Sequence, residues 1–154
     1  MRSFEPISIA SSIKTLRLAT GLSDDRGLID TSVAVDIRDL DAALFPREVA
    51  ISALTLGELA TGPQAARDEL TRARRQSHLQ FVETNLEALP FDPSCARAYG
   101  IVYAAVDRKG RKARGGRAVD LMIAATALAY GLPLYTRNAK DLRGVEDLIE
   151  VVEV

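Results

Sequence analysis

Short apolar runs alternate with longer amphipathic or charged stretches along most of this chain. Five runs have the length and apolar character of buried strands, and they cover residues 27–30, 49–52, 87–91, 133–136 and 148–152. The stretches between them predict helices near residues 33–43, 54–61, 64–85, 92–107 and 119–130. Strands that alternate with helices are typical of a parallel sheet with right-handed crossovers. We therefore expect an α/β fold, with a central parallel sheet of four to five strands flanked by helices.

Residues at the ends of these segments suggest where each helix begins and stops. Thr31 and Ser32 have N-cap chemistry for the first helix, and Gly62-Pro63 is expected to end the second. Residues 1–26 show no sustained period, so we interpret them as an N-terminal extension. The chain then divides into this extension and a single domain over residues 27–154.

Composition restricts the function classes without selecting one. Hydrophobic residues make up 47% and charged residues 27% of the 154-residue chain, as in ordinary globular domains. The net charge is −1, so a nucleic-acid site would have to come from local clustering of cations. The single cysteine, Cys95, excludes an internal disulfide and predicts a cytoplasmic protein. No apolar run approaches the roughly 20 residues of a membrane span, so no membrane partner is expected.

Four acidic residues follow the predicted strands in a pattern that suggests a metal site. They are Asp30 after the first strand, Glu58 in the helix after the second, Asp120 in the helix before the fourth, and Asp141 after the fourth. With a strand order of 3-2-1-4-5 these positions meet at the carboxyl edge of the sheet. Two like charges about 4 Å apart repel by roughly 4 kcal/mol at an effective dielectric near 20. A hard cation such as Mg²⁺, which prefers oxygen ligands, would offset that repulsion.

Each acidic residue also has an ordinary structural interpretation. Asp30 can help cap the first helix, and Glu58 matches a capping box that begins at Thr55. Asp120 suits the N-cap or first turn of its helix, and Asp141 suits a turn. From spacing alone, these structural roles remain open beside the metal site.

A basic stretch leads directly into Asp120. It holds six cations in ten residues, namely Arg108, Lys109, Arg111, Lys112, Arg114 and Arg117. Three glycines predict a flexible loop, and a cationic loop beside an acidic site can attract phosphate. A solvated loop is the alternative interpretation.

Four segments together resemble the motifs of PIN-domain ribonucleases, most closely the VapC-type toxins of VapBC toxin–antitoxin modules. The segments are Leu-Ile-Asp-Thr-Ser-Val at 28–33, Ser-Ala-Leu-Thr-Leu-Gly-Glu-Leu at 52–59, Asp-Leu-Met-Ile-Ala-Ala-Thr-Ala at 120–127 and Leu-Tyr-Thr-Arg-Asn at 134–138, with Lys-Asp at 140–141. They occur in the family's order. The N-terminal extension departs from the usual pattern, in which the first strand starts the chain.

The resemblance implies an endoribonuclease that depends on Mg²⁺ or Mn²⁺ and arrests growth by cutting cellular RNA. It also implies a VapB-type antitoxin that inhibits the enzyme, and a homodimer or a toxin–antitoxin hetero-oligomer. By motif match, Asp30, Glu58 and Asp120 are metal ligands and catalytic residues. The fourth position lies between Asp141, which we favour, and Asn138, which can orient a metal-bound water or a phosphate. Beside Asp30, the hydroxyls of Thr31 and Ser32 can support its carboxylate or act only as helix caps.

Two other classes of protein compete with the nuclease. An inactive PIN-like binding or regulatory module is the main alternative, because Asn138 stands where some relatives have an acid. A phosphatase-like or nucleotide-binding α/β protein ranks lower, because the chain lacks both the GxxxxGK[ST] and GxGxxG fingerprints.

Overall fold

A computed structural model describes residues 25–154, and its elements follow the predicted alternation of strands and helices. The strands are β1 (Arg26–Ile29), β2 (Glu48–Ser52), β3 (Glu87–Leu89), β4 (Leu134–Thr136) and β5 (Val151–Glu153). The helices are α1 (Thr31–Ala34), α2 (Ala53–Gln64), α3 (Glu69–Asn85), α4 (Pro93–Arg108) and α5 (Gly116–Tyr130). Two short 3₁₀ helices cover Ala42–Leu44 and Ala139–Leu142.

The five strands form one parallel sheet in the order β3-β2-β1-β4-β5. The central strand β1 pairs with β2 on one side, where Ile29 lies opposite Ile51, and with β4 on the other, where Ile29 lies opposite Tyr135. This arrangement confirms the predicted fold class and strand order. It also brings the carboxyl ends of β1, β2 and β4 to one edge of the sheet.

Alternate residues of each central strand pack into two separate hydrophobic cores, one on each face of the sheet. Leu28 and Leu134 pack on the face covered by α4 and α5, whereas Ile29, Ile51 and Tyr135 pack on the face covered by α1, α2 and α3. This follows from the two-residue side-chain period of a strand. Because both faces are buried, the strands read as continuous apolar runs.

The first helix is much shorter than the prediction over residues 33–43. It ends at Ala34, and the chain continues through turns closed by bonds such as that from the Asp39 N–H to the Asp36 carbonyl, 2.9 Å. Asp41 then caps the first 3₁₀ helix by accepting from the Ala43 N–H at 2.9 Å. The β-branched Val35 and Ile37 disfavour a helix, and the aspartates offer the backbone competing partners.

Other boundaries were also predicted wrongly. Helix α3 begins at Glu69 rather than at residue 64, α5 begins at Gly116 rather than at residue 119, and β3 ends at Leu89 rather than at residue 91. Helix α2 passes through Gly62-Pro63 and ends at Gln64, because Pro63 lies in the last turn and disturbs only the end of the helix. The fifth strand begins at Val151 rather than at residue 148, since Leu148 and Ile149 close turns onto the Val145 carbonyl. Ile149 is buried all the same, so the apolar run reflects core packing rather than a longer strand.

Two further predictions concern the N-terminal extension and the absence of a membrane span. The proposed N-terminal extension lies outside the described residues except for Asp25 and Arg26, the second of which begins β1. Within residues 25–154, no helix is long and apolar enough to cross a membrane.

Candidate active site

The four predicted acidic residues lie on four different elements around the carboxyl edge of the sheet. Asp30 follows β1, and Glu58 lies in α2, which starts directly after β2. Asp120 is in the second turn of α5, and Asp141 lies in the 3₁₀ helix after β4. All four side chains are partly buried. Topology thus brings together residues that are up to 111 positions apart (30 to 141).

The Asp30 carboxylate is held by three donors. Its Oδ1 accepts from the Ser32 hydroxyl at 2.6 Å and from the Val33 N–H at 3.2 Å, and its Oδ2 accepts from the Thr136 hydroxyl. Asp30 is also the N-cap of α1. Its structural role as a helix cap is therefore present, and the same bonds fix the direction of the carboxylate toward the sheet edge.

Thr31 and Ser32 do not cap the helix, contrary to one of the two predicted interpretations. Asp30 is the cap, and both hydroxyls lie inside α1. Ser32 supports the Asp30 carboxylate as expected, whereas Thr31 donates to Glu58 Oε2 and lies 3.2 Å from the Thr55 hydroxyl.

The capping-box interpretation of Glu58 is wrong. The N-cap of α2 is Ser52, whose hydroxyl accepts from the Leu54 N–H at 3.2 Å. Glu58 is therefore in the second turn of the helix, and its carboxylate accepts a hydrogen bond from Thr31 on another element. The carboxylate faces the edge where Asp30 and Asp120 lie.

A layer of buried hydroxyls underlies this acidic edge. Among the described residues, the buried polar side chains are those of Ser52, Thr55, Thr126 and Thr136, each with 0% exposure. Ser52 and Thr126 lie 3.4 Å apart, and the Thr136 hydroxyl also accepts from the Asn138 N–H at 3.0 Å. Within residues 25–154 no buried side-chain nitrogen or oxygen lacks a partner. The carboxylates therefore rest on a fully satisfied polar layer.

The Thr136 contribution was missed by the sequence reasoning, although this residue belongs to one of the quoted motifs. A threonine at the end of an apolar strand reads as an ordinary β-branched strand residue. The available signal was its place directly after two buried positions at the carboxyl end of β4. Thr136 is a positioning residue for Asp30, since it acts through that carboxylate.

Electrostatics confirm that the four carboxylates share one neighbourhood. Burial raises the pKa of Asp120 above its ordinary 3.8, and the negative charges of Glu58, Asp30 and Asp141 raise it further. The nearby positive charge of Arg117 acts in the opposite direction. Asp120 is neither an N-cap nor a first-turn residue, because α5 begins at Gly116. A raised carboxyl pKa in a charged cluster is common at functional sites.

Of the two candidates for the fourth site residue, Asp141 is the one that lies with the other carboxylates. Its charge acts on Asp120, whereas the Asn138 side chain is exposed and makes no cap hydrogen bond with the following 3₁₀ helix. This placement favours Asp141 as the fourth acid. The roles of both residues stay predictions.

The donor set suits a hard divalent cation. All four side chains offer carboxylate oxygens, and their mutual repulsion is what a bound cation would relieve. Among residues 25–154, no three acidic, histidine or cysteine side chains are close enough to form a ready-made metal cage. Mg²⁺ commonly keeps several waters and takes one or two protein carboxylates, so it needs no such cage. The residues present therefore fit an open, hydrated site.

The basic stretch lies against the same edge but is shorter as a loop than predicted. Arg108 ends α4, and Arg117 lies in the first turn of α5, which begins at Gly116, so residues 109–115 lie between the helices. The Arg111 guanidinium donates to the Lys140 carbonyl at 2.8 Å, next to Asp141. Gly110 and Gly115 have φ of 72° and 58°, a conformation that glycine adopts without strain. The stretch is thus anchored beside the carboxylates.

A sequence model of the PIN domain matches residues 27–147, which is most of the chain. The chain belongs to the PIN-domain family. The match begins at the strand that carries Asp30 and runs past Asp141, so it includes all four acidic positions.

Relatives of this PIN domain place it among the VapC proteins. It is 37% identical over 115 residues to ribonuclease VapC5 of Mycobacterium tuberculosis, which covers 73% of this chain and 82% of that protein. It is 35% identical over 105 residues to ribonuclease VapC of Rickettsia bellii, which covers 68% and 75% of the two chains.

Solved structures agree with this placement. A crystal structure of VapBC-5 from Mycobacterium tuberculosis, a member of a toxin–antitoxin family, matches with a TM-score of 0.71 and 36% identity, over 84% of this chain and 99% of that one. VapBC2 from Rickettsia felis, bound to a promoter DNA fragment, matches with a TM-score of 0.69 and 25% identity, over 84% and 98% of the chains.

The hydrogen bond between Thr136 and Asp30 can be measured by a double-mutant cycle. Thr136→Val is expected to lower the free energy of unfolding by about 1–3 kcal/mol, because a buried carboxylate oxygen and the Asn138 N–H lose a partner. In the Asp30→Ala background the loss should be smaller, since one of those partners is absent. Urea unfolding gives the coupling energy. If the effects of the two substitutions on the free energy of unfolding are additive, the positioning role is contradicted. Asp147→Asn, at an exposed turn, serves as the control background in place of Asp30→Ala.

The raised pKa of Asp120 predicts how stability depends on pH in the metal-free PIN domain. Because folding raises this pKa, Asp120 contributes stability that is fully present below its unfolded pKa, near 3.8, and is lost as the pH rises through the folded pKa. Asp120→Asn should therefore melt at a higher temperature than the wild type at pH 7. The difference should shrink as the pH falls toward 4. Thermal melts in EDTA from pH 4 to 8 test this, and a variant less stable at pH 7 would refute it.

Proposed function

We propose that this PIN domain is a Mg²⁺-dependent endoribonuclease, and that it acts in the cytoplasm as the toxin of a type II toxin–antitoxin pair. The observation that carries the proposal is the convergence of Asp30, Glu58, Asp120 and Asp141 at one sheet edge, around the raised pKa of Asp120. Relatives at 35–37% identity that are named ribonuclease VapC support the choice of RNA as substrate.

The metal would be held by Asp30, Glu58 and Asp120, with Asp141 as the fourth acid. When bound, a divalent cation lowers the pKa of a water and stabilises charge on a phosphoryl oxygen. Asp30 is kept in one orientation by Ser32, Thr136 and the Val33 N–H. Glu58 is aimed by Thr31. Preorganised ligands of this kind need little rearrangement when metal and substrate arrive.

The partner we propose is a VapB-type antitoxin that keeps the enzyme inactive. Solved relatives with matching folds are VapBC toxin–antitoxin proteins, which supports this assignment. We expect the PIN domain to form a homodimer or a hetero-oligomer with its antitoxin. An inactive regulatory module remains the second candidate, because Asn138 replaces an acid and no ready-made metal cage exists among the described residues.

The basic stretch would supply part of the RNA surface. Arg117 lies close enough to act on Asp120, and Arg111 ties the loop to the backbone beside Asp141. The remaining cations, Arg108, Lys109, Lys112 and Arg114, are exposed. Positive charge at this place would offset the repulsion between RNA phosphates and the acidic edge.

Cleavage of total RNA by the purified protein tests the proposed enzyme. The wild type should cut RNA with Mg²⁺ or Mn²⁺ and lose this activity in excess EDTA, because the proposed mechanism needs a bound cation to lower the pKa of the attacking water. Asp30→Asn and Asp120→Asn should each reduce the rate by at least about 100-fold, the range that removal of one key electrostatic group commonly costs.

Asp25→Asn is the matched control, since it removes one exposed carboxylate directly before β1, at the opposite edge of the sheet. Cleavage that persists in EDTA would exclude the metal mechanism. A protein that binds its antitoxin but neither cuts RNA nor binds Mn²⁺ in calorimetry would instead be the regulatory module.

The role of the basic stretch is tested by the salt dependence of RNA binding. Lys112→Gln with Arg114→Gln should weaken binding and reduce the slope of log K against log [salt] by about 1.4, because each phosphate contact on a single strand contributes about 0.7. Arg47→Gln is the control, since Arg47 directly precedes β2 at the opposite edge of the sheet. An unchanged slope in the double variant would identify the stretch as solvated surface only.

A further inference from the structure

A groove of about 710 Å³ lies between α1, α2 and α3 and opens directly at the acidic edge. Its lining includes Thr31 and Glu58, which are also part of the candidate active site. Val35, Leu59 and Leu79 give it apolar walls. The volume falls within the range of roughly 300–1,000 Å³ that is usual for ligand pockets. The groove is therefore a continuation of the active site and large enough for a ligand.

Three arginines against two carboxylates give the groove an excess of positive charge. Arg38, Arg74 and Arg75 line it, and none of them takes part in an ion pair within the described residues, where the paired arginines are Arg26, Arg72 and Arg137. Two carboxylates, Asp39 and Glu58, also line the groove, and Glu58 belongs to its acidic end. Cations left unpaired in a concave surface of a chain whose net charge is −1 indicate an anionic ligand.

Two of these arginines are held in place by other contacts. The Arg75 guanidinium donates to the Gly62 carbonyl at 2.9 Å, and the Arg38 guanidinium lies 5.1 Å from the centre of the Phe81 ring. The His78 ring, which also lines the groove, stacks near Phe81 with centroids 6.5 Å apart. Neither contact neutralises a positive charge. The groove thus combines fixed cations with a flat ring.

This combination suits single-stranded RNA. A strand with one phosphate at the carboxylates has to continue along the neighbouring surface, and the groove starts at two of the site residues. Phosphates need cations near an acidic site that otherwise repels them. Bases of single strands stack on aromatic or histidine rings and on arginine planes. Sequence reasoning gave His78 no function, and its place in the groove provides one.

We propose that the groove between α1, α2 and α3 binds a single-stranded segment of the RNA substrate that flanks the phosphate at the carboxylates. Arg74 and Arg75 contact its phosphates, and His78 provides a stacking surface for a base. The inference rests on the proposed ribonuclease function and adds the path that the substrate follows on the side of the site opposite the basic stretch.

The test is fluorescence anisotropy with a labelled single-stranded RNA at several salt concentrations. It uses the full chain carrying Asp120→Asn, in Mg²⁺, so that the RNA stays intact. Adding Arg74→Gln and Arg75→Gln should weaken binding and lower the salt slope by about 1.4, from two lost phosphate contacts.

The control pair is Arg67→Gln with Arg72→Gln, which removes the same charge at exposed positions outside the groove lining, just before α3 and in its first turn. A smaller slope in the groove pair alone supports the proposal. An unchanged slope in the groove pair, or equal losses in both pairs, overturns it.

Failure of this inference can be told apart from failure of the proposed function. If the wild type cuts RNA with divalent metal but the groove pair leaves the salt slope unchanged, the enzyme stands and the groove has another occupant. If the wild type neither binds nor cuts RNA, the ribonuclease proposal itself fails. A stability measurement of both pairs ensures that weaker binding does not come from unfolding.

Discussion

Repulsion among four carboxylates at one edge of a parallel sheet is the constraint around which this molecule is arranged. The raised pKa of Asp120 reflects both its burial and that repulsion. Two apolar cores, one on each face of the sheet, supply the favourable free energy that offsets the unfavourable edge. Hydroxyls then fix where two of the charges point, because Thr136 and Ser32 hold Asp30 and Thr31 holds Glu58. Within residues 25–154 the buried hydroxyls beneath the edge leave no unpaired polar atoms.

An acidic centre cannot attract a polyanion by itself, and the charge around this one is distributed accordingly. The basic stretch lies on the side of Asp120 and Asp141, and the arginine-lined groove lies on the side of Glu58. The cations are therefore near the carboxylates but largely not paired with them. Such an arrangement keeps the net charge of the chain close to zero while it maintains strong local fields of both signs.

Much of the fold and of the acidic set could be predicted from sequence, for identifiable physical reasons. Strands buried on both faces produce continuous apolar runs, and crossover handedness leaves few possible sheet topologies. Asp30 and Asp120 also stand at positions that this topology makes adjacent. Hydrogen bonds between distant side chains leave no local pattern, so neither the role of Thr136 nor the bond from Thr31 to Glu58 could be predicted. The length of α1 was predicted wrongly, because the β-branched and aspartate residues that follow Ala34 end the helix early. The groove was missed because it exists only when three helices pack together.

The position of β1 in the middle of the sheet has a consequence during protein synthesis. This strand is made early, yet one of its neighbours, β4, contains residues 134–136, and Asp141 follows still later. Asp30 therefore lacks its Thr136 partner until nearly the whole domain has left the ribosome. A nascent chain therefore cannot bring all four carboxylates together before residue 141 has been made and has left the ribosome.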